Sequence, residues 1–138
     1  MGFKKIEDMN KKVHDRECMI IVNFPEKEKN LVKNMASMVG IKDIIVIDNT
    51  MFDNRIEDIL DDKISVGEKT DVNVKALLFN SLEGKKVNAV IEGLRKMKIR
   101  GQYMAMITEN SIEWELKKLI YNLVQERKMI KEKNAGRH

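Results

Sequence analysis

Four short, almost unbroken apolar runs punctuate the chain: CMIIVNF from Cys18 to Phe24, IIVI from Ile44 to Ile47, ALLF from Ala76 to Phe79 and MAMI from Met104 to Ile107. Each has the length of a β-strand, and none approaches the 18 residues of a membrane span. Between them the apolar residues fall at helical spacing. A helix is predicted over 24–39, with Leu31, Val32, Met35, Ala36, Met38 and Val39 inward and Gly40 as its stop. A short helix is predicted over 54–61 on Ile56, Ile59 and Leu60, and a longer one over 82–98 on Val87, Val90, Ile91, Leu94 and Met97. The last is predicted over about 111–131, on Ile112, Leu116, Leu119, Ile120, Leu123, Val124 and Ile130. Residues 62–74 read as a connecting loop.

The order is therefore β-α-β-α-β-α-β-α. Short strands that are apolar on both sides belong to a sheet covered on both faces. The expected class is α/β: a mainly parallel four-stranded sheet with helices on its faces and strand order 2-1-3-4. Residues 17–133 are expected to form one domain. Residues 1–16 form an N-terminal tail or a short amphipathic helix carrying Phe3, Ile6, Met9 and Val13, and 134–138 a frayed end.

The chain also resembles itself. Asn23-Phe-Pro-Glu26 follows the first strand, and Asn80-Ser-Leu-Glu83 follows the third, 57 positions later. Aligned in this way, helices run to Gly40 and Gly101, the second about one turn longer. Asp48-Asn49-Thr50 and Glu109-Asn110-Ser111 then follow the second and fourth strands. Two βαβα half-repeats, about 17–62 and 75–131, are the expected organisation. Asn-x-x-Glu occurs at Asn23/Glu26, Asn54/Glu57, Asn80/Glu83 and Asn110/Glu113, each where a helix should begin. Capping explains the pattern: the Asn side chain accepts from an orphan N–H of the first turn and Glu reaches back to the cap.

Ligands of open parallel sheets bind beyond the carboxyl ends of the strands, where strand order reverses. With order 2-1-3-4, Asn23 and Asn80 would flank that crevice, with Asp48, Asn49, Thr108, Glu109 and Asn110 beside it. These residues form the candidate ligand site, for a small anionic or nucleotide-like molecule at helix N-termini. Asp48 and Glu109, at corresponding strand ends, offer an acid–base or cation-binding pair. The competing reading leaves the Asn side chains committed to capping. The cluster Glu57, Asp58, Asp61, Asp62 is read as a solvated helix face rather than a cation site.

Several chemistries lack their residues. One cysteine excludes a disulfide framework and a multi-Cys zinc site, and two histidines (His14, His138) leave little for His-based catalysis. Gly67-Glu-Lys69-Thr70 lacks the upstream glycine of a phosphate loop. No dinucleotide fingerprint follows a strand and no nucleophile elbow is present. No cofactor, metal or catalytic residue is assigned. Cys18, opening an apolar strand, reads as a buried thiol. An apolar leader is also missing, and a cytoplasmic location is expected.

Charge is unevenly placed. The net charge is +4, yet residues 51–72 carry −4, while 85–100 and 117–138 carry +5 each. Basic helix faces can attract nucleic acid, but arginine is scarce, with 20 Lys to 6 Arg, and aromatic residues are not interleaved. Solvated faces are the favoured account, and nucleic-acid binding ranks third among the functions considered. The Lys, Ile and Asn bias suggests an AT-rich bacterial genome. Trp114 and Tyr121 project off the main stripe of the last helix and are the candidate protein-contact residues.

The stretch ALLFNSLEGKKVNAVIEGLRKMKI, followed by MAMITENSIEW and LIYNLVQER, resembles a small bacterial family of domains of unknown function. The shared pattern is an apolar strand ending in Phe79, a helix, a second strand ending in Thr108, and Trp114 six residues on. The resemblance covers roughly the C-terminal 40% of the chain. It departs where Asn is expected three residues after Thr108; here Ser111 stands there and Asn110 precedes it. It implies a strand-helix-strand-helix fold and no substrate. The leading expectation is a non-enzymatic interaction or regulatory module, whose partner is another protein or a second copy of the chain. Ligand binding at the sheet's carboxyl end is the alternative.

Overall fold

The computed structural model describes residues 14–135. Its strands are β1 (Cys18–Val22), β2 (Ile44–Ile47), β3 (Ala76–Asn80) and β4 (Tyr103–Met106). Its helices are α1 (Glu26–Met38), α2 (Ile56–Leu60), α3 (Gly84–Lys96) and α4 (Leu116–Ala135), with a 3-10 turn over Ser111–Glu113. The amphipathic segment expected around Phe3 to Val13 lies outside the described residues.

One four-stranded sheet has the order β2-β1-β3-β4, as expected. β1 pairs with β2 in parallel, and β3 with β4 in parallel. The central pair is antiparallel: Cys18 lies opposite Asn80, and Val22 opposite Ala76. β1 and β2 thus finish at one end of the sheet, the near end, and β3 and β4 finish at the far end. The reversal comes from the segment between α2 and β3. α2 returns toward the start of β1, where the Leu60 carbonyl accepts from Arg16 Nη1 at 2.9 Å. The chain then runs back irregularly to the near end before β3 begins. That extra crossing turns β3 around.

Alternation along the strands divides the core. Cys18, Ile20, Val22, Ala76 and Leu78 face one side, under Ile56, Ile59 and Leu60 of α2 and Leu116, Leu119 and Ile120 of α4. Met19, Ile21, Leu77 and Phe79 face the other, under Val32 and Ala36 of α1 and Val90 and Leu94 of α3. β1 and β3 are buried throughout, whereas β4 alternates, leaving Met104 and Met106 exposed. The both-faces burial read for all four strands therefore holds for the central two; β2 and β4 are edges. In α1, Leu31 and Met38, expected inward, face solvent, Met38 at 87%. Six apolar positions made too wide a stripe for one helix resting on a narrow sheet.

Local features of the two strand–helix stretches recur at an offset of 58 positions, where the matching letters suggest 57. Asn23 and Ser81 both take left-handed backbone (φ 57° and 56°). Phe24 and Leu82 then tuck into the core, and α1 and α3 each span 13 residues. Gly40 (φ 96°) corresponds to Lys98 (φ 58°), and buried Ile41 to Ile99. The shared Asn and the position of Gly101 suggest a longer second helix, but both helices have the same length.

No capping box forms at the four Asn-x-x-Glu sites. The residues preceding α1, α2 and α3 are Pro25, Arg55 and Glu83, and none caps through its side chain; Asn110, before the 3-10 turn, makes no cap bond either. The last helix also starts later than predicted. Trp114 is extended (φ −79°, ψ 153°), and Arg55 and Glu115 form an antiparallel bridge, with Ile56 N–H donating to Trp114 O (2.9 Å) and Leu116 N–H to Asn54 O (2.9 Å). That pairing breaks the predicted 111–131 helix in two.

Candidate functional site

The antiparallel centre of the sheet separates the residues expected to share a crevice. Asn23, Asp48 and Asn49 follow β1 and β2 at the near end, while Asn80, Thr108, Glu109 and Asn110 close β3 and β4 at the far end. A five-residue strand at ~3.3 Å per residue puts about 15 Å between the groups. Asn23 and Asn80 do not flank one crevice, and Asp48 and Glu109 do not form a pair.

At the near end the polar side chains hold the returning segment. Asn23 Nδ2 donates to the carbonyls of Val72 (3.2 Å) and Val74 (3.3 Å). Asn49, almost fully buried, donates to Thr70 O (3.0 Å), and Thr70 N–H returns a bond to Asn49 O (3.2 Å). Asn54 donates to Met51 O and Ser65 O and accepts from Ser65 N–H (2.9 Å). Asp48 accepts from the Thr50 hydroxyl and backbone N–H, which hold its carboxyl below the usual carboxylate range.

A groove of about 670 Å³ opens there, walled by Asn23, Asp48, the first turn of α1 and Lys75. Its lysines are paired: Lys75 with Glu28 (2.8 Å) and Arg100 O (2.9 Å), Lys29 with Glu26 (2.7 Å). Glu26, Glu28 and Asp48 outnumber them on the wall, a charge balance that does not recruit an anion.

At the far end, buried Asn80 donates to the carbonyls of His14 (3.2 Å) and Arg16 (2.7 Å), and Ser81 Oγ donates to His14 O (2.6 Å). Residues 14–16, read as tail, are thereby clipped to the sheet. Thr108 N–H donates to Ser111 Oγ (2.9 Å) and Ser111 N–H to Thr108 Oγ1 (3.2 Å), so Thr108 shapes the 3-10 turn. Glu109 and Asn110 are exposed.

An arginine knot nearby was not singled out from the sequence. Arg16 grips Asp43 with two bonds (Nε to Oδ2 2.7 Å, Nη2 to Oδ1 3.0 Å) and reaches Asp62 Oδ1 (2.9 Å). This raises the guanidinium's already high pKa and lowers that of Asp43. Asp61 of the acidic cluster accepts from His14 Nε2 at 2.8 Å. Cys18 is fully buried, and burial first, then Asp43, pushes its thiol up to about 11. Such a thiol is a poor nucleophile at neutral pH.

An apolar hollow lies elsewhere, beside α4, with a volume of about 580 Å³. Phe52, Val72 and Val74 form one wall, and Ile120, Tyr121 and Val124 the other. Lys117 and Lys118 stand on its rim. Lys117 Nζ is bound to Asp53 Oδ1 (2.8 Å), and Lys118 Nζ lies 4.6 Å from the centre of the Trp114 ring. Tyr121 is 63% exposed, whereas Trp114 packs against the core beneath Lys118. The hollow was illegible in the sequence because Val72 and Val74, on one wall, come from the irregular loop before β3.

Among the described residues, no group of three His, Cys, Asp or Glu side chains is placed to hold a metal ion, and no helix is long and apolar enough to cross a membrane. No curated protein and no solved structure matches the chain. Residues 75–130, which run from the strand β3 through most of α4 and include the stretch whose sequence resembles such a family, match the model of a family described as Domain of unknown function (DUF3783).

Proposed function

We propose that the protein is a non-enzymatic interaction module that holds a partner polypeptide in the hollow beside α4. The observation that carries this reading is the hollow itself: apolar walls, an exposed tyrosine on one lip and two lysines on the rim. Concave apolar sites with a few placed polar groups are where binding concentrates, and exposed Tyr is a common interface anchor. The fitting partner presents a bulky apolar side chain with an Asp or Glu placed to reach Lys118, since Lys117 is already held by Asp53. The separation of the strand-end residues supports a binding role over catalysis. The paired charges of the near-end groove weigh against the alternative, a small anionic or nucleotide-like ligand.

The test is selection from a random peptide display library against the full chain. The expected result is enrichment of peptides with an aromatic or Leu/Ile/Met anchor flanked by acids. Their binding should weaken about tenfold or more in Tyr121→Ala and Val124→Asp proteins whose circular dichroism is unchanged. No enrichment, or binding indifferent to both substitutions, overturns the reading. Thermal stabilisation by nucleotides or phosphorylated metabolites, lost in Asn23→Ala, would favour the ligand alternative. Salt-sensitive retardation of generic DNA or RNA would favour the basic-helix reading.

A further inference from the structure

The second half of α4 carries a surface of its own. Twenty helical residues span about 30 Å, but only the first turns rest on the sheet: Leu116, Leu119 and Ile120 are buried, and Leu123 and Val124 pack against them. Arg127 makes the last anchoring contact, with Nη2 donating to Gln102 O (3.0 Å) and the guanidinium stacked 3.5 Å over the Tyr103 ring. From Lys128 to Lys133 every residue is exposed, including Met129 at 67% and Ile130 at 60%.

Glu126, Met129, Ile130 and Lys133 lie at i, i+3, i+4 and i+7, so they share one face of the helix. It is the face opposite Lys117, Tyr121 and Val124, and the two surfaces do not compete. Its order is acid, two apolar residues, base. Set against a second copy in parallel, Glu126 would meet Glu126 and Lys133 would meet Lys133. Set antiparallel about a twofold axis between positions 129 and 130, Met129 meets the partner's Ile130, and Glu126 meets the partner's Lys133 twice over. The charge order thus complements itself in the antiparallel sense alone, as an isologous contact requires.

We infer that the overhanging half of α4 is a self-recognition surface, pairing two copies of the chain through an antiparallel helix contact centred on Met129 and Ile130. The contact is independent of the peptide-binding reading. One short helix face per copy is a small interface, so the dimer is weak and dissociates on dilution.

Analytical ultracentrifugation of the full chain from 5 μM to 1 mM tests it. The average mass should climb from monomer toward dimer. Ile130→Glu should leave a monomer throughout, with the fold checked by circular dichroism. Glu126→Lys and Lys133→Glu should each weaken association about tenfold, because each change acts at both symmetric pairs. An equimolar mixture of the two single variants should recover dimer, since an all-basic face then meets an all-acidic one. Loss of helix structure alone cannot produce that recovery. A wild-type monomer at 1 mM, or a dimer indifferent to these substitutions, overturns the inference. So does a monomer in which deletion of residues 1–13 speeds hydrogen exchange over 128–133, the sign that the chain's own N-terminal segment covers the face.

Discussion

Asparagine side chains in this protein act as clips across long sequence distances. A primary amide offers two donors and an acceptor, which suits it to hold irregular backbone whose carbonyls have no ladder to join. Asn54 shows the effect most clearly, since its oxygen takes Ser65 N–H and its nitrogen gives to Met51 O and Ser65 O. Replacing Asn54 with Ala strands a half-buried N–H and a carbonyl, at a cost of about 1–3 kcal/mol. The loss should be local. Hydrogen exchange should quicken at the amides of Ser65, Gly67 and Thr70, the latter two bonded to Thr50 O and Asn49 O, while the β1 and β3 amides keep their protection. Equal acceleration in the central strands would show that Asn54 supports the core rather than the segment. The residue type was conspicuous in the sequence, but its role was not. A cap and a long-range clip use the same atoms, and only the position of a partner 11 to 66 residues away separates them.

Strands, the covered sheet and the strand order were legible at the scale of elements because each rests on local periodicity and on the apolar character of the central pair. The direction of β3 was not, because it depends on the aperiodic segment between α2 and β3, and with it went the shared crevice. The exit from α3 illustrates how position in an element overrides letter matching. Lys98 occupies left-handed backbone (φ 58°), at the place that Gly40 (φ 96°) fills after α1. A side chain bearing Cβ costs about 1–2 kcal/mol there, whereas glycine adopts that backbone freely. Lys98 is exposed and Lys98 N–H bonds to Arg95 O (3.1 Å), a bond that glycine keeps. Lys98→Gly should therefore raise the unfolding free energy by about 1 kcal/mol in urea titration, net of the extra unfolded-chain entropy. The reverse change, Gly40→Lys, should lower it. A destabilised Lys98→Gly protein would contradict the offset of 58 and the left-handed turn together.

For the molecule as a whole, the start of the domain is held by charge as well as by apolar burial. Arg16 ties the strand β1 to the turn before β2 through Asp43, and to the end of α2 through the Leu60 carbonyl and Asp62. Its guanidinium therefore links three separate pieces of chain. Arg16→Met keeps the apolar stem and removes these bonds, and should cost about 2 kcal/mol at pH 7, the scale of hydrogen bonds to charged groups. The same substitution should reshape the acid response. Arg16 holds the Asp43 carboxyl below its ordinary range in the folded protein, so on acidification the unfolded chain binds that proton first. The stabilisation is present in full above the unfolded-state value, near ~4, and disappears as pH falls through the depressed folded-state value. The deficit of the Arg16→Met protein relative to wild type should accordingly be greatest at neutral pH and shrink steadily below pH 4. Urea unfolding at pH 7, 4 and 2.5 measures it. A deficit that stays constant across that range would mean that Arg16 acts through the Leu60 carbonyl and packing alone, and that its two bonds to Asp43 add no linkage to the fold.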